Sequence, residues 1–336
     1  MCTAITYQTQ NHYFGRTFDH DVSYGESVVI TPRKFPLRTL PNVKSHYAMI
    51  GMATISSHYP LYYDATNEKG LSMAGLNFPG NAVYADPKEG ADNVPAFDFI
   101  PWVLGQCATI SQAEELLLRT NLTNTPFSDK IPPAPLHWLL ADRKRSLTIE
   151  ATKDGLHIYK NPIGVLTNNP PFPWQMANLS NYRALSPKET KTNFAPHIEL
   201  TAHSHGMGAV GLPGDLSSAS RFVRVAFTKL NSVSGSKESE SISQFFHILG
   251  TVSNTRGCVQ LDDEHYEITR YTSCCNTDRG IYYYTTYENS QITAVDLRSE
   301  DYTGSQLISY PLITQQQIYR QNKKTIRKLL HGSLQK

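Results

Sequence analysis

Cysteine is scarce in this chain of 336 residues, and the five present (Cys2, Cys107, Cys258, Cys274 and Cys275) form no framework. Their number is odd and their spacings match no zinc site, which argues against a disulfide scaffold or structural zinc. The adjacent pair Cys274 and Cys275 would point to opposite faces of a strand. Free thiols in a reducing compartment are the simplest account. Long apolar runs are also missing, and the N-terminus carries no charged segment followed by an apolar leader. A cytosolic protein without membrane insertion is expected. Net charge is close to absent, at +2, which argues against a dedicated nucleic-acid binder. Five cations, Arg320, Lys323, Lys324, Arg327 and Lys328, crowd into the last stretch. With Ile318, Ile326, Leu329 and Leu330 they suggest a basic amphipathic terminal helix. A helix docked on its own protein or on a subunit neighbour is favoured over one lying on a membrane surface.

Regular strand–helix alternation is missing as well. The first eighty residues read as short strands such as "CTAITYQT", "FGRTF", "SVVITPR" and "GLSMAGLNF", broken by polar turns. A helix follows in "ISQAEELLLRTN", with Ser111 and Glu114 spaced as a capping box. Strands return around residues 136–168, where "KDG" marks a hairpin. Two helical stretches come next: "DLSSASRFVRVAFTKL", and "SISQFFHILGTV" with Ser241 and Gln244 as a second capping box. The chain closes on Tyr/Thr/Ile-rich strands. This order predicts an α+β chain, with antiparallel sheets and segregated helices, two sheets sandwiched between helical layers. No repeat or long linker divides it, so a single domain over 1–336 is expected.

Two motifs lack the context that would give them meaning. "GMGAVG" (Gly206, Gly208, Gly211) has neither a buried strand before it nor a helix opening within it, so it reads as a loop, not a dinucleotide site. His203 and His205 have no third partner at metal-ligand spacing.

Cys2 is different. Removal of Met1, which a small second residue permits, would leave a thiol beside its own α-amine. Such an amine, with a reference pKa of about 7.7–8.0, is substantially neutral near physiological pH and can accept the thiol proton. That is the logic of an N-terminal nucleophile. Arg16 and Asp19 strengthen this reading, since a guanidinium favours the thiolate and a carboxylate can hold the ammonium. Residues three apart on a regular strand face opposite sides, so both reach Cys2 only if the chain bends after Arg16. Arg221, in the first turns of a helix, opposes the macrodipole and calls for a local compensating group.

The blocks "MCTAITYQTQNHYFGRTFDHDVSYGE", "NEKGLSMAGLNFPGN", "GVLTNNPPFPWQ", "GLPGDLSSASRFVR" and "YTSCCNTDRGIYYYTTYENSQI" together resemble the choloylglycine hydrolase family, specifically its bile salt hydrolases. The resemblance implies an Ntn-hydrolase αββα sandwich, usually a homotetramer in the bacterial cytoplasm, with no metal or organic cofactor. Glycine- or taurine-conjugated bile salts are the implied substrates. Carried over by motif, the nucleophile falls on Cys2, and its companions on Arg16, Asp19, Asn77, Asn168 and Arg221. Asn169 leaves a one-residue ambiguity beside Asn168. Asparagine at 77 favours bile salt hydrolase over the related penicillin V acylases, which tend to have tyrosine there. An amide at that position can donate to a developing oxyanion. The steroid is expected on an apolar surface near Tyr24, Ala65, Phe127 and Ile131.

Overall fold

The computed structural model describes residues 1–322. Strands run in chain order as β1 (Cys2–Gln8), β2 (His12–His20), β3 (Ser27–Thr31), β4 (Met49–Ser56), β5 (Tyr59–Asn67), β6 (Ser72–Asn77), β7 (Asp92–Pro95) and β8 (Thr120–Thr123). They continue as β9 (Leu136–Ala141), β10 (Ser146–Thr152), β11 (Gly155–Lys160), β12 (Val165–Leu166), β13 (Ile268–Asn276), β14 (Ile281–Thr286), β15 (Thr293–Asp296) and β16 (Ile308–Pro311). The helices are α1 (Phe99–Gln106), α2 (Ile110–Leu117), α3 (Phe172–Leu179), α4 (Ser218–Asn231) and α5 (Glu238–Gly250).

A six-stranded sheet in the order β12-β1-β2-β13-β14-β15 faces an eight-stranded sheet in the order β11-β10-β9-β6-β5-β4-β3-β16. Every pairing within these two sheets is antiparallel. Helices α4 and α5 cover the outer face of the first sheet, packing on β1, β12, β2 and β13, while α1 packs on β4, β5 and β6 of the second. The layers are therefore αββα. Burial follows from them: β2 is covered on both faces and is buried at every position but His20, so apolar and polar residues do not alternate in exposure along it. One core fills the space between the sheets and continues under α4 and α5. A second lies between the eight-stranded sheet and α1/α2.

Local chemistry sets some boundaries differently from the sequence pattern. Helix α2 begins at Ile110, one residue before Ser111, capped by Thr109, whose hydroxyl accepts from Gln112 N at 3.3 Å. Helix α5 begins near Lys237, and Glu240 reaches back to the Lys237 amide at 2.8 Å, so Ser241 lies inside the helix. The expected caps at Ser111 and Ser241 are thus displaced by closer competitors. Helix α4 is capped by Ser217. The "GMGAVG" segment is a loop with one short helical turn, Met207–Ala209. Among the described residues no group of three or more His, Cys, Asp or Glu could hold a metal ion, and His205 pairs with Glu189. No described helix is long and apolar enough to cross a membrane. Most of the expected basic terminal helix falls on residues 323–336, outside the described residues.

Candidate active site

Cys2 opens β1 and is 4% exposed. Its register partner is Phe18, and Ala4 pairs with Arg16. On an antiparallel ladder Cys2, Ala4, Arg16 and Phe18 therefore share one face, the face toward the second sheet. Arg16 crosses that gap: Nη1 donates to Tyr63 O at 3.0 Å and to Gly75 O, on β5 and β6. Its guanidinium lies 5.3 Å from the Phe18 ring centroid. Burial alone would push Arg16 down, but Cys2, the Tyr271 hydroxyl, Asp64 and Asp19 around it outweigh that and hold the group above its ordinary value. Arg16 is a fixed cation beside the thiol.

Asp19 lies on the other face, with Thr17. Its Oδ2 accepts from Thr17 Oγ1 at 3.1 Å and its Oδ1 from Thr269 Oγ1 at 2.7 Å. No bend separates Arg16 from Asp19, because β2 is continuous from His12 to His20. The irregularity sits in the neighbour, where β13 carries an extra residue between Thr269 and Tyr271. The expected bend is unnecessary: Cys2 is approached from both faces of one sheet, Arg16 on the inner side and Asp19 on the helical side.

That helical side is completed by Arg221. Its helix α4 packs on β1 and β12, and its fully buried guanidinium donates to Cys2 O at 2.6 Å, to Thr3 Oγ1, and to Asn168 Oδ1 at 2.8 Å. Among the described residues Arg221 forms no ion pair with Asp19; the compensation for its place in the first turn comes chiefly from oxygens of β1 and Asn168. Burial pushes this guanidinium below its ordinary value, opposed by Asp19 and Cys2. Asn168 follows β12 and is the centre of the hydrogen bonding. Its Oδ1 accepts from Cys2 N and from Arg221 Nη2, both at 2.8 Å, and its Nδ2 donates to Asn77 O at 2.8 Å. The neighbouring Asn169 turns away to Pro79 O and Asn81, which resolves the ambiguity in favour of Asn168 at the cysteine. Asn77 ends β6 with an exposed side chain that makes no hydrogen bond among the described residues.

In this chain Cys2 N is still an amide, and it stands in for the α-amine that removal of Met1 would create. Met1 lies directly over the site. Its ammonium donates to Asp19 O at 2.9 Å and pairs with buried Glu267, and burial holds it below its ordinary value.

The chain belongs to the choloylglycine hydrolase family. A family model described as linear amide C–N hydrolases, choloylglycine hydrolase family, matches residues 2–310. Among curated relatives, a bile salt hydrolase/transferase of Lactiplantibacillus plantarum is 53% identical, over 96% of this chain and all of the relative. A second protein of the same description, from Clostridium perfringens, is 40% identical over 92% of this chain and 96% of the relative. The crystal structure of a cysteine-to-alanine mutant of conjugated bile acid hydrolase from Clostridium perfringens superposes with a TM-score of 0.88. It is 39% identical over 96% of this chain and 100% of that one. A penicillin V acylase from Agrobacterium tumefaciens superposes at 0.72 with 20% identity, over 92% of this chain and 90% of that one, a likeness of fold alone. The αββα arrangement is the Ntn-hydrolase fold, and this member of the choloylglycine hydrolase family is a linear amide C–N hydrolase.

The four residues expected against the steroid are scattered. Tyr24 is 49% exposed, and its hydroxyl meets His20 Nε2 at 2.9 Å. His20 in turn stacks on Phe18, the partner of Cys2, so Tyr24 stands near the cluster. Ala65 does not. Strand alternation sends Asp64 toward the first sheet and Ala65 into the core under α1, where it is 1% exposed. Phe127 is buried in that same core, against Tyr59, Phe97 and Arg38. Ile131 closes a turn onto Phe127 N at 3.1 Å and is half-buried. Sequence reasoning missed Thr17, Thr269, Ser218 and Tyr63. Ser218 Oγ accepts from Asn168 N at 2.8 Å, and the Tyr63 ring lies 4.7 Å from Phe18. These are common residue types whose roles arise from pairing across the sheets.

Proposed function

We propose that the protein is a bile salt hydrolase, cleaving the amide between a steroid acid and glycine or taurine with Cys2 as its N-terminal nucleophile. The observation that carries the mechanism is the clamp on the Cys2 nitrogen: Asn168 Oδ1 accepts from it at 2.8 Å while Arg221 fixes both Asn168 and the Cys2 carbonyl. After loss of Met1 that nitrogen is an amine held next to its own thiol. It takes the thiol proton as Sγ attacks the substrate carbonyl. Asn77 and a neighbouring backbone N–H stabilise the oxyanion. The C–N bond then breaks, the ammonium returns its proton to the departing amino acid, and water hydrolyses the thioester. Arg16 favours the thiolate, and Asp19 steadies the ammonium from the helical side. The steroid lies on an apolar surface beside the Cys2 cluster to which Tyr24 contributes.

The choice of substrate rests on Asn77 and on the descriptions of the relatives. Turnover of glycocholate, taurocholate and penicillin V, measured side by side, tests it. The expected result is release of glycine or taurine at rates far above penicillin V hydrolysis. Preferential penicillin V turnover would establish an acylase of that second type. The proposal includes one domain over residues 1–336, a homotetramer in solution and a cytoplasmic location in a bacterium, working with neither metal nor organic cofactor.

A further inference from the structure

Between the sheets lies a buried carboxylate that the reaction above does not use. Asp64, on β5, is 1% exposed and points at the first sheet. Its Oδ1 accepts from Tyr271 Oη at 3.1 Å, and its Oδ2 accepts from Tyr282 Oη at 2.7 Å and Ser273 Oγ at 3.3 Å. Three hydroxyls converging on one carboxylate, beside a guanidinium, are the surroundings of an anion. Ser273 Oγ also accepts from Arg16 N at 3.1 Å, so a continuous chain runs from Asp64 to the backbone of Arg16. Gly15 makes that approach possible: any Cβ there would come within 2.0 Å of Ser273 O. Tyr271 stacks on Phe18 at 5.2 Å, and Phe18 is the ladder partner of Cys2. Among the described residues the Arg16 guanidinium hydrogen-bonds only carbonyl oxygens, those of Thr17, Tyr63 and Gly75. Its charge is therefore answered through space, by Asp64 on the inner side, by Cys2, and by Asp19 from the opposite face of β2.

We propose that Asp64 is a positioning residue for the nucleophile, acting through Arg16: its buried carboxylate sets how much of the guanidinium's positive field reaches Cys2. The inference rests on the reading of Cys2 as the nucleophile. The groups facing this centre come from several elements. Arg16 and Asp19 lie on β2, Arg221 on α4, Tyr63 on β5, Tyr271 and Cys275 on β13, and Tyr282 on β14, with Glu267 just before β13. Burial pushes Tyr271 and Tyr282 well above their ordinary values and Cys275 up to about 12, so these stay neutral. Asp64 is pushed up by burial and drawn back by Arg16 and its three hydroxyl donors. The net shift is upward; it is the three hydroxyls donating to it that make Asp64 the anion competing with the Cys2 thiolate for Arg16 from the inner side.

The test is the pH dependence of Cys2 alkylation by iodoacetamide in the full-length, Met1-processed protein. Mass mapping keeps Cys2 separate from exposed Cys258. In Asp64→Asn the guanidinium's field is no longer shared, so the midpoint moves to lower pH by about one unit. Alkylation on the acidic side becomes about tenfold faster. Tyr282→Phe removes the 2.7 Å donor and lets Asp64 take a proton more readily, giving a smaller shift in the same direction. A purely structural Asp64 would lower the unfolding midpoint and leave the alkylation profile in place. Midpoints within about 0.2 units of wild type in Asp64→Asn overturn the proposal, and so does the same result in Tyr282→Phe should Asp64→Asn not fold. Undiminished glycocholate hydrolysis by Cys2→Ser would instead overturn the nucleophile reading, so the two failures are distinguishable.

Discussion

Replacing Asn168 by alanine removes three hydrogen bonds of 2.8 Å at once: Cys2 N to Oδ1, Arg221 Nη2 to Oδ1, and Nδ2 to Asn77 O. The bond from Arg221 is charge-assisted and in a fully buried place, worth about 1.5–3 kcal/mol, and the two neutral bonds are worth about 0.5–1.5 kcal/mol each. Together they predict a loss of roughly 2.5–6 kcal/mol in unfolding free energy. Arg221 keeps Cys2 O, Thr3 and Leu216 O, which limits the damage and lets the variant fold. The kinetic effect is separate. With its acceptor gone the Cys2 amine is no longer held against the thiol, and a misplacement of about 1 Å costs about 100-fold in kcat. Urea unfolding followed by tryptophan fluorescence, together with steady-state glycocholate hydrolysis, reads both quantities. Asn169→Ala is the control: among the described residues its side chain bonds only Pro79 O and Asn81, so both readings should stay near wild type. An Asn168→Ala variant that loses stability but keeps kcat within about threefold would refute the assignment, leaving Asn168 a structural brace.

Two further predictions concern stability. His12 is buried between Thr6 and Thr277, and burial pushes it from 6.5 to about 4. The unfolded chain therefore takes up a proton below about pH 6.5 that the folded chain refuses until about pH 4. Stability should fall across that window by about 3 kcal/mol, a loss reduced in His12→Gln, as Tm measured against pH will show; an identical pH slope in both proteins counts against it. Gly15→Ala should lower stability by about 1–3 kcal/mol, because the added Cβ must push β2 from β13. An unchanged Tm would mean that the close approach is not maintained.

The parts of the site carried by short contiguous blocks were legible in the sequence. Cys2, Arg16, Asp19, Asn168 and Arg221 are drawn together around one strand end. Their geometry was less so. Strand alternation correctly sets Arg16 and Asp19 on opposite faces, yet it suggested a bend where the fold instead uses both faces of a sheet covered on each side. Helix α1 was invisible because nearly all of "FIPWVLGQ" is buried, leaving no polar face to give a helical period. Helix α3 starts within a Pro-rich stretch that reads as a turn. Ala65 falls in the core under α1 for another reason: which face of a central strand meets which layer depends on partners far away in sequence. The partnership of Asp64 with Tyr271, Ser273 and Tyr282 spans about two hundred residues of chain, and no local pattern announces it.

The central claim is that the Cys2 nitrogen must be a free amine. Intact-mass analysis of the N-terminus, paired with glycocholate hydrolysis of the same preparations, tests it most directly. Activity should scale with the fraction of chains that begin at Cys2, Met1-retaining protein should be inactive, and Cys2→Ser should lose at least about 100-fold. Fully active protein that retains Met1 would contradict the account.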